Sequence, residues 1–234
     1  MDKIKACLVD IDGTLTNDRE TPQISKDYIL NNALFGVLVD AMKDEGWERE
    51  PAAQALIELG ESMVFWDYPD FIQHFNLPEE QTMHRLSDWH TKNIKVYDDG
   101  VEMVQTLHDH GMDLYIISNN PLSGCLLKLQ RAGLSTLEGS MYFKGFVSSN
   151  VHQGQKYSGA FWKRGLADIG LDPATLAMVG DHPVEDGSRA KEAGLRIIFR
   201  INREQSEAVI STDEVFVVRR LTEVPTILQT VNPS

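Results

Sequence analysis

Several polar side chains in this sequence fall where a strand should end or a helix begin. Asp10 and Asp12 follow the short apolar run at 4–9 and precede Gly13 and Thr14. Ser118 and Asn119 follow the apolar run 114–117, and Asp181 follows 176–180 with Asp186 soon after. Lys156 stands just ahead of a helix for which Ser158 is the expected N-cap. A buried strand ending in acids delivers them to the carboxyl edge of a parallel sheet, where open α/β sheets carry their chemistry. Such a sheet brings ends that are far apart in sequence to one rim. The rim would hold the carboxylates of Asp10, Asp12, Asp181 and Asp186 against the single ammonium of Lys156. Left bare, acids so close raise one another's pKa. A hard divalent cation removes that conflict, and carboxylate and water oxygens suit Mg²⁺. Acids, a lysine, a serine and Mg²⁺ fit phosphoryl transfer best, because cation and lysine absorb charge on the phosphoryl oxygens while hydroxyl and backbone N–H groups orient it. One carboxylate can attack as nucleophile and form an acyl phosphate that water then hydrolyses. A second, two residues on, can protonate the leaving oxygen and later deprotonate the water.

The elements that must position these groups are legible from periodicity. From residue 96 onward strand-like runs alternate with helical ones: a helix over 100–110 stopped by Gly111, a strand over 114–117, a helix over 122–132 stopped by Gly133. Then come a short strand at 146–148, a helix from Ser158 to 169, a strand at 176–179, a helix over 189–193 and a strand at 197–199, with 215–218 as an edge strand. Strands alternating with helices predict a parallel sheet covered on both faces. Residues 17–94 have a different texture. Ile29, Leu30, Ala33, Leu34, Val37, Leu38, Ala41 and Met42 recur at helical spacing up to Gly46, a second helix opens near Pro51, and a third opens at Pro78-Glu79-Glu80. No strand is expected there. The reading is an α/β protein: a Rossmann-like core from 1–16 and 95–234, with an all-helical cap over 17–94 inserted between its first two strands. The tail from Thr230 to Ser234 is expected to fray.

Composition narrows the partners. Lys and Arg number 22 against 35 Asp and Glu, a formal net charge of −13, which disfavours nucleic acid and anionic membrane surfaces. Cys7 and Cys125 are expected as free thiols in a reducing compartment. No apolar run approaches the ~20 residues of a bilayer span, and the start of the chain enters a strand without the apolar core of a secretory signal. A cytoplasmic monomer or homodimer is expected, acting on a small phosphorylated metabolite.

Leu8-Val9-Asp10-Ile11-Asp12-Gly13-Thr14-Leu15 resembles the first motif of the haloacid dehalogenase-like (HAD) hydrolases, in their phosphatase branch. Ile116-Ile117-Ser118-Asn119 is similar to the second motif, Lys156 to the third, and Gly180-Asp181-His182-Pro183-Val184-Glu185-Asp186 to the fourth. The four occur in the family's order, and a helical cap between the first and second motifs is similar to that of many members. The resemblance implies Asp10 as nucleophile and Mg²⁺ ligand, and Asp12 as general acid/base with its backbone carbonyl on the metal. It implies Ser118, with Asn119 beside it, as phosphoryl ligand, Lys156 as the group that stabilises phosphoryl charge, Asp181 as direct metal ligand, and Asp186 acting through water or by holding Lys156. Tyr157 departs from the pattern, which often has Pro after the lysine; Lys163 and Lys144 are the alternatives for the third motif. Phosphoglycolate, a sugar phosphate or a nucleoside monophosphate would suit such a capped site.

Plainer roles compete for the same residues. Asp181 and Asp186 can cap the helix at Arg189, and Asn120, ahead of Pro121, reads as loop chemistry. His182 is expected to face solvent or substrate, and His74, His84 and His90 to be surface or structural. The aromatic residues of the cap read as its core, with Trp66 or Tyr68 as the candidates for a surface stacking on a sugar or base. A haloacid dehalogenase would use Asp10 to displace halide and would not need Asp12. A phospho-acceptor domain or a non-catalytic relative that keeps only the fold completes the alternatives.

Overall fold

The computed structural model describes residues 3–17, 34–204, 210–212 and 214–231. A seven-stranded sheet forms the centre: β1 (Ala6–Val9), β2 (Asp113–Ile117), β3 (Gly145–Val147), β4 (Leu176–Gly180), β5 (Ile197–Ile201), β6 (Ile210–Thr212) and β7 (Val215–Val218), in the order β3-β2-β1-β4-β5-β7-β6. All neighbours pair in parallel except β6 with β7. The helices are α1 (Gly36–Asp44), α2 (Arg49–Ser62), α3 (Tyr68–His74), α4 (Glu79–Asn93), α5 (Asp98–Asp109), α6 (Leu122–Arg131), α7 (Gly159–Ile169), α8 (Arg189–Glu192) and α9 (Glu223–Val231).

Alternation along the strands splits the core into two layers. Cys7, Val9, Leu114, Ile116, Ala177 and Val179 face one side, where α5, α6 and α9 contribute Met103, Val104, Leu129 and Leu228. Their neighbours Ala6, Leu8, Ile117, Leu176 and Met178 face the other, against Phe161 and Trp162 of α7 and Ala190 of α8. Both faces are covered, so the central strands carry unbroken apolar runs, as parallel strands do. The chain winds outward from β1 to β2 and β3, then returns to β4 on β1's other side. A crevice opens at the carboxyl ends of strands where that direction reverses. Val9 pairs with both Ile116 and Val179, so the ends of β1, β2 and β4 lie level there.

Helices α1–α4 have a separate apolar core. Phe35, Leu38, Met42, Ala52, Leu56, Phe71 and Leu86 make up its centre, and Leu127 of α6 joins it from the sheet side. Phe35, Trp66, Tyr68 and Phe71 pack edge-on or tilted, with Phe35 and Trp66 centroids 5.0 Å apart. Among the described residues no strand lies between Leu34 and Asn93. Asp67 caps α3 by accepting from Tyr68 N at 2.8 Å, while Asp70 accepts from Asp67 N at 2.7 Å. The other Asp67 oxygen accepts from Ser123 N and Asn150 Nδ2, both at 3.1 Å. This one buried carboxylate therefore ties the helical block to the start of α6 and to the loop after β3.

The structure departs from the sequence expectations at the short and terminal elements. Ile29, Leu30 and Ala33 lie outside the described residues, and the helix they were expected to share runs from Gly36. Helix α3, only seven residues long, carries too little periodicity to be read without its cap. Strand β7 is not at the edge, since β6 pairs beyond it. Of the tail expected to fray, Thr230 and Val231 are the last residues of α9, whose Val224 and Leu228 are buried, and residues 232–234 lie outside the described residues.

His90 of α4 is fully buried; its Nδ1 donates to Leu86 O at 2.7 Å and its Nε2 has no hydrogen-bond partner among the described residues. Burial pulls its pKa down from 6.5 to about 4. Between those values the unfolded chain takes up a proton that the folded one refuses, so stability falls as the pH drops. The expected loss through His90 is about 3 kcal/mol by pH 4. Urea unfolding of the parent and of His90→Gln at pH 7 and pH 4 checks this. Parallel pH dependences in the two proteins would refute it.

Candidate active site

The floor of the crevice is built by three strand ends. Asp10 continues the β1 ladder, donating its N–H to Val179 O at 2.9 Å, and Ser118 donates its own to Val147 O at 2.9 Å. Gly13 follows with φ +79°, in the left-handed region that favours glycine, and a Cβ there would overlap the Asp181 carboxylate. A Cβ at Gly180 would likewise overlap Asp186. These two glycines are what allow the acids to crowd together. Arg203 braces the turn after Asp12, donating to Gly13 O and Thr14 O at 2.9 Å each and to Asp99 at 3.1 Å, with its guanidinium 3.6 Å from the Tyr97 ring centroid.

Lys156 is buried with its Nζ 2.6 Å from Asp10 Oδ1 and 2.6 Å from Asp186 Oδ1. Asp186 Oδ2 accepts from Asp181 N and His182 N at 3.1 and 2.9 Å, and Asp10 Oδ2 accepts from Thr14 Oγ1 at 3.0 Å. Burial pushes the Asp10 carboxyl well above its ordinary value; Lys156 opposes this, while Asp186 and Asp12 add to it. Burial works against the Lys156 ammonium, but Asp10 and Asp186 outweigh it and hold its pKa above the usual lysine value. Asn119 links three parts of the rim, accepting from Lys156 N at 2.7 Å and donating to Glu185 at 2.8 Å. Lys163 is exposed on α7 and Lys144 pairs with Asp113 at 2.7 Å, so of these three lysines Lys156 is the one at the acids.

Asp12 stands slightly apart. Its Oδ1 takes Lys128 Nζ at 2.7 Å and its Oδ2 takes Asn120 Nδ2 at 2.6 Å. Asn120 also donates to Ser118 Oγ at 2.8 Å and accepts from Lys128 at 3.3 Å. Asn120 is therefore more than loop chemistry: it joins Ser118 to Asp12. Sequence reasoning missed Lys128 altogether. Asp186 does not cap α8; the turn that leads into that helix is capped by His182, whose Nδ1 accepts from Val184 N and Glu185 N.

One oxygen from each of Asp10, Asp181 and Asp186 falls within 4.8 Å of the others. Three converging carboxylates offer the hard oxygens a small divalent cation requires, and the glycines at 13 and 180 leave room for them. The Asp12 carboxylate is not one of that group. Above the floor lies a cavity of about 360 Å³, lined by Asp10, Asp12, Ser118, Asn119, Lys156 and Asp181 below and by Val64, Phe65 and Trp66 from the helical block.

The sequence profile of haloacid dehalogenase-like hydrolases matches residues 4–194. The chain belongs to that family. No curated protein matches it significantly. Among solved structures, a HAD phosphatase from Thermococcus onnurineus is similar at 25% identity and a TM-score of 0.57, with 96% of this chain and 97% of that one covered. The HAD-hydrolase YfnB from Bacillus subtilis, bound to magnesium, is similar at 18% identity and 0.56, covering 97% and 99%. A 2-haloacid dehalogenase from Pseudomonas syringae is similar at 18% identity and 0.57, with the same coverage. These HAD structures share the fold while differing in named chemistry. Among the described residues no helix is long and apolar enough to cross a membrane.

Proposed function

We propose that this HAD-like hydrolase is a Mg²⁺-dependent phosphatase that cleaves a small phosphomonoester through an aspartyl phosphate on Asp10. The observation that carries the reading is the second acid. Asp12 lines the same cavity as Asp10, and Lys128 and Asn120 hold its carboxylate. Halide needs no proton when it leaves, whereas an alkoxide does. Asp10, Asp181 and Asp186 would hold Mg²⁺, which when bound supplies charge neutralisation at the phosphoryl oxygens.

In the first half-reaction an Asp10 oxygen bonds to phosphorus, the ester P–O bond breaks, and Asp12 gives its proton to the departing alkoxide. In the second, Asp12 takes a proton from water, the hydroxide bonds to phosphorus, and the bond to Asp10 breaks to release phosphate. Ser118 and Asn119 orient the phosphoryl group and Lys156 offsets its charge. Helices α1–α4, within the 17–94 insertion, act as a cap that excludes bulk water while the leaving group departs.

Hydrolysis of 4-nitrophenyl phosphate is expected with Mg²⁺, to be lost with EDTA and recovered on adding Mg²⁺ back. Chloride release from 2-chloropropionate without Mg²⁺, in the absence of phosphatase activity, would overturn the reading.

A further inference from the structure

The upper wall of the cavity is unlike its floor. Few large apolar side chains are exposed among the described residues, and two of them, Val64 at 84% and Tyr157 at 58%, line this cavity. Phe65 and Trp66 line it as well. Trp66 is not free to turn away, because Phe35 and Phe71 hold its ring edge-on at 5.0 and 5.3 Å. The next residue, Asp67, pins the loop to Ser123 and Asn150 of the core. Tyr68, the other stacking candidate, is buried inside the helical block. Exposed apolar groups gathered at a cavity mark a surface that meets a ligand.

Charge at the same place argues in the same direction. The charged side chains among the described lining residues, histidine aside, are Asp10, Asp12, Asp181, Glu185 and Lys156, and the single charge of Lys156 is already shared between Asp10 and Asp186. A bound dication would balance the phosphoryl group. A second negative charge, on the alcohol part of the substrate, would meet carboxylates and, among the described lining residues, no lysine or arginine besides Lys156. Like charges so placed reject a ligand. At about 360 Å³ the space is at the small end of metabolite sites.

Building on the phosphatase reading, we propose that the leaving alcohol is uncharged and carries a flat ring, which rests against Trp66, Phe65 and Tyr157. A nucleoside and a compact aromatic alcohol share that chemistry. Carboxylate-bearing esters such as phosphoglycolate do not have it.

The test measures phosphate release with Mg²⁺ from uridine 5′-monophosphate, benzyl phosphate, glycerol 1-phosphate and phosphoglycolate. Benzyl alcohol is no better a leaving group than glycerol, so the comparison reads binding of the ring. The better of the two ring esters should exceed glycerol phosphate in kcat/KM by about tenfold or more, with phosphoglycolate the poorest. A lead for the nucleotide identifies a nucleoside, and a lead for benzyl phosphate a compact aryl alcohol. Tyr157→Ser, at an exposed position, should reduce the ring preference about tenfold, and Trp66→Leu should reduce it too. Equal or faster turnover of phosphoglycolate would overturn the inference while leaving the phosphatase reading intact. So would a ring preference that survives both substitutions. Chloride release from 2-chloropropionate with no phosphate from any of the four esters would overturn both.

Discussion

Asp10→Asn should reduce phosphate release by at least about 10⁴-fold, the scale on which removal of a covalent nucleophile acts. The amide is nearly isosteric, so packing around β1 is retained. What is lost is chemical: an amide oxygen is a poor nucleophile toward phosphorus, and the trio Asp10, Asp181 and Asp186 loses one of its three charges. Fold should survive, because Lys156 keeps Asp186 at 2.6 Å as its counter-charge. The measurement pairs steady-state phosphate release with thermal unfolding of the same preparation. A variant that melts near the parent and retains more than about 1% of its activity would remove Asp10 from the covalent step. Loss of activity together with collapse of the fold would instead mean that the Asp10–Lys156 pair is chiefly structural.

The parts of this site that sequence made legible are those fixed by backbone direction. A strand of known phase places its last residue at a predictable edge, so Asp10, Ser118 and Asp181 converge as the strand pattern requires. Lys156 was reachable for a related reason, since it precedes a helix whose N-cap position Ser158 does occupy, although without a side-chain cap bond. The groups that escaped are those whose surroundings depend on tertiary packing. A lysine on an amphipathic helix ordinarily marks the solvent side. Helix α6 has no broad solvent side, because Cys125 and Leu129 face the sheet while Leu127 enters the core of the helical block. Lys128 is thereby enclosed and reaches Asp12. Asn120 was hidden in a different way: Asn before Pro is common turn chemistry, and only the approach of Asp12, 108 residues away, shows its second use. Strand β6 is three residues long, too brief for periodicity to register.

Lys156→Met should lower the melting temperature by about 10 °C at pH 8. The lysine is the shared counter-charge of Asp10 and Asp186, and all three side chains are buried. Removing one member of a buried ion pair leaves uncompensated charge and typically costs about 3–5 kcal/mol. At roughly 2–4 °C per kcal/mol for a chain of this size, the shift is about 6–20 °C. Its pH dependence has a definite sign. Burial already raises the Asp10 carboxyl above its ordinary value even with Lys156 present, and losing the lysine removes the largest opposing influence. A carboxyl whose folded pKa is raised destabilises the fold once the pH exceeds its unfolded value, since the unfolded chain then releases a proton the folded one retains. The deficit of the variant should therefore be greatest at pH 8 and shrink toward pH 5. Mg²⁺ should restore part of it, because a dication among Asp10, Asp181 and Asp186 supplies the missing charge. Thermal scans at pH 5 and 8, with Mg²⁺ and with EDTA, separate these effects. A shift under about 2 °C at pH 8 would mean that the ammonium is not the group holding the two acids together.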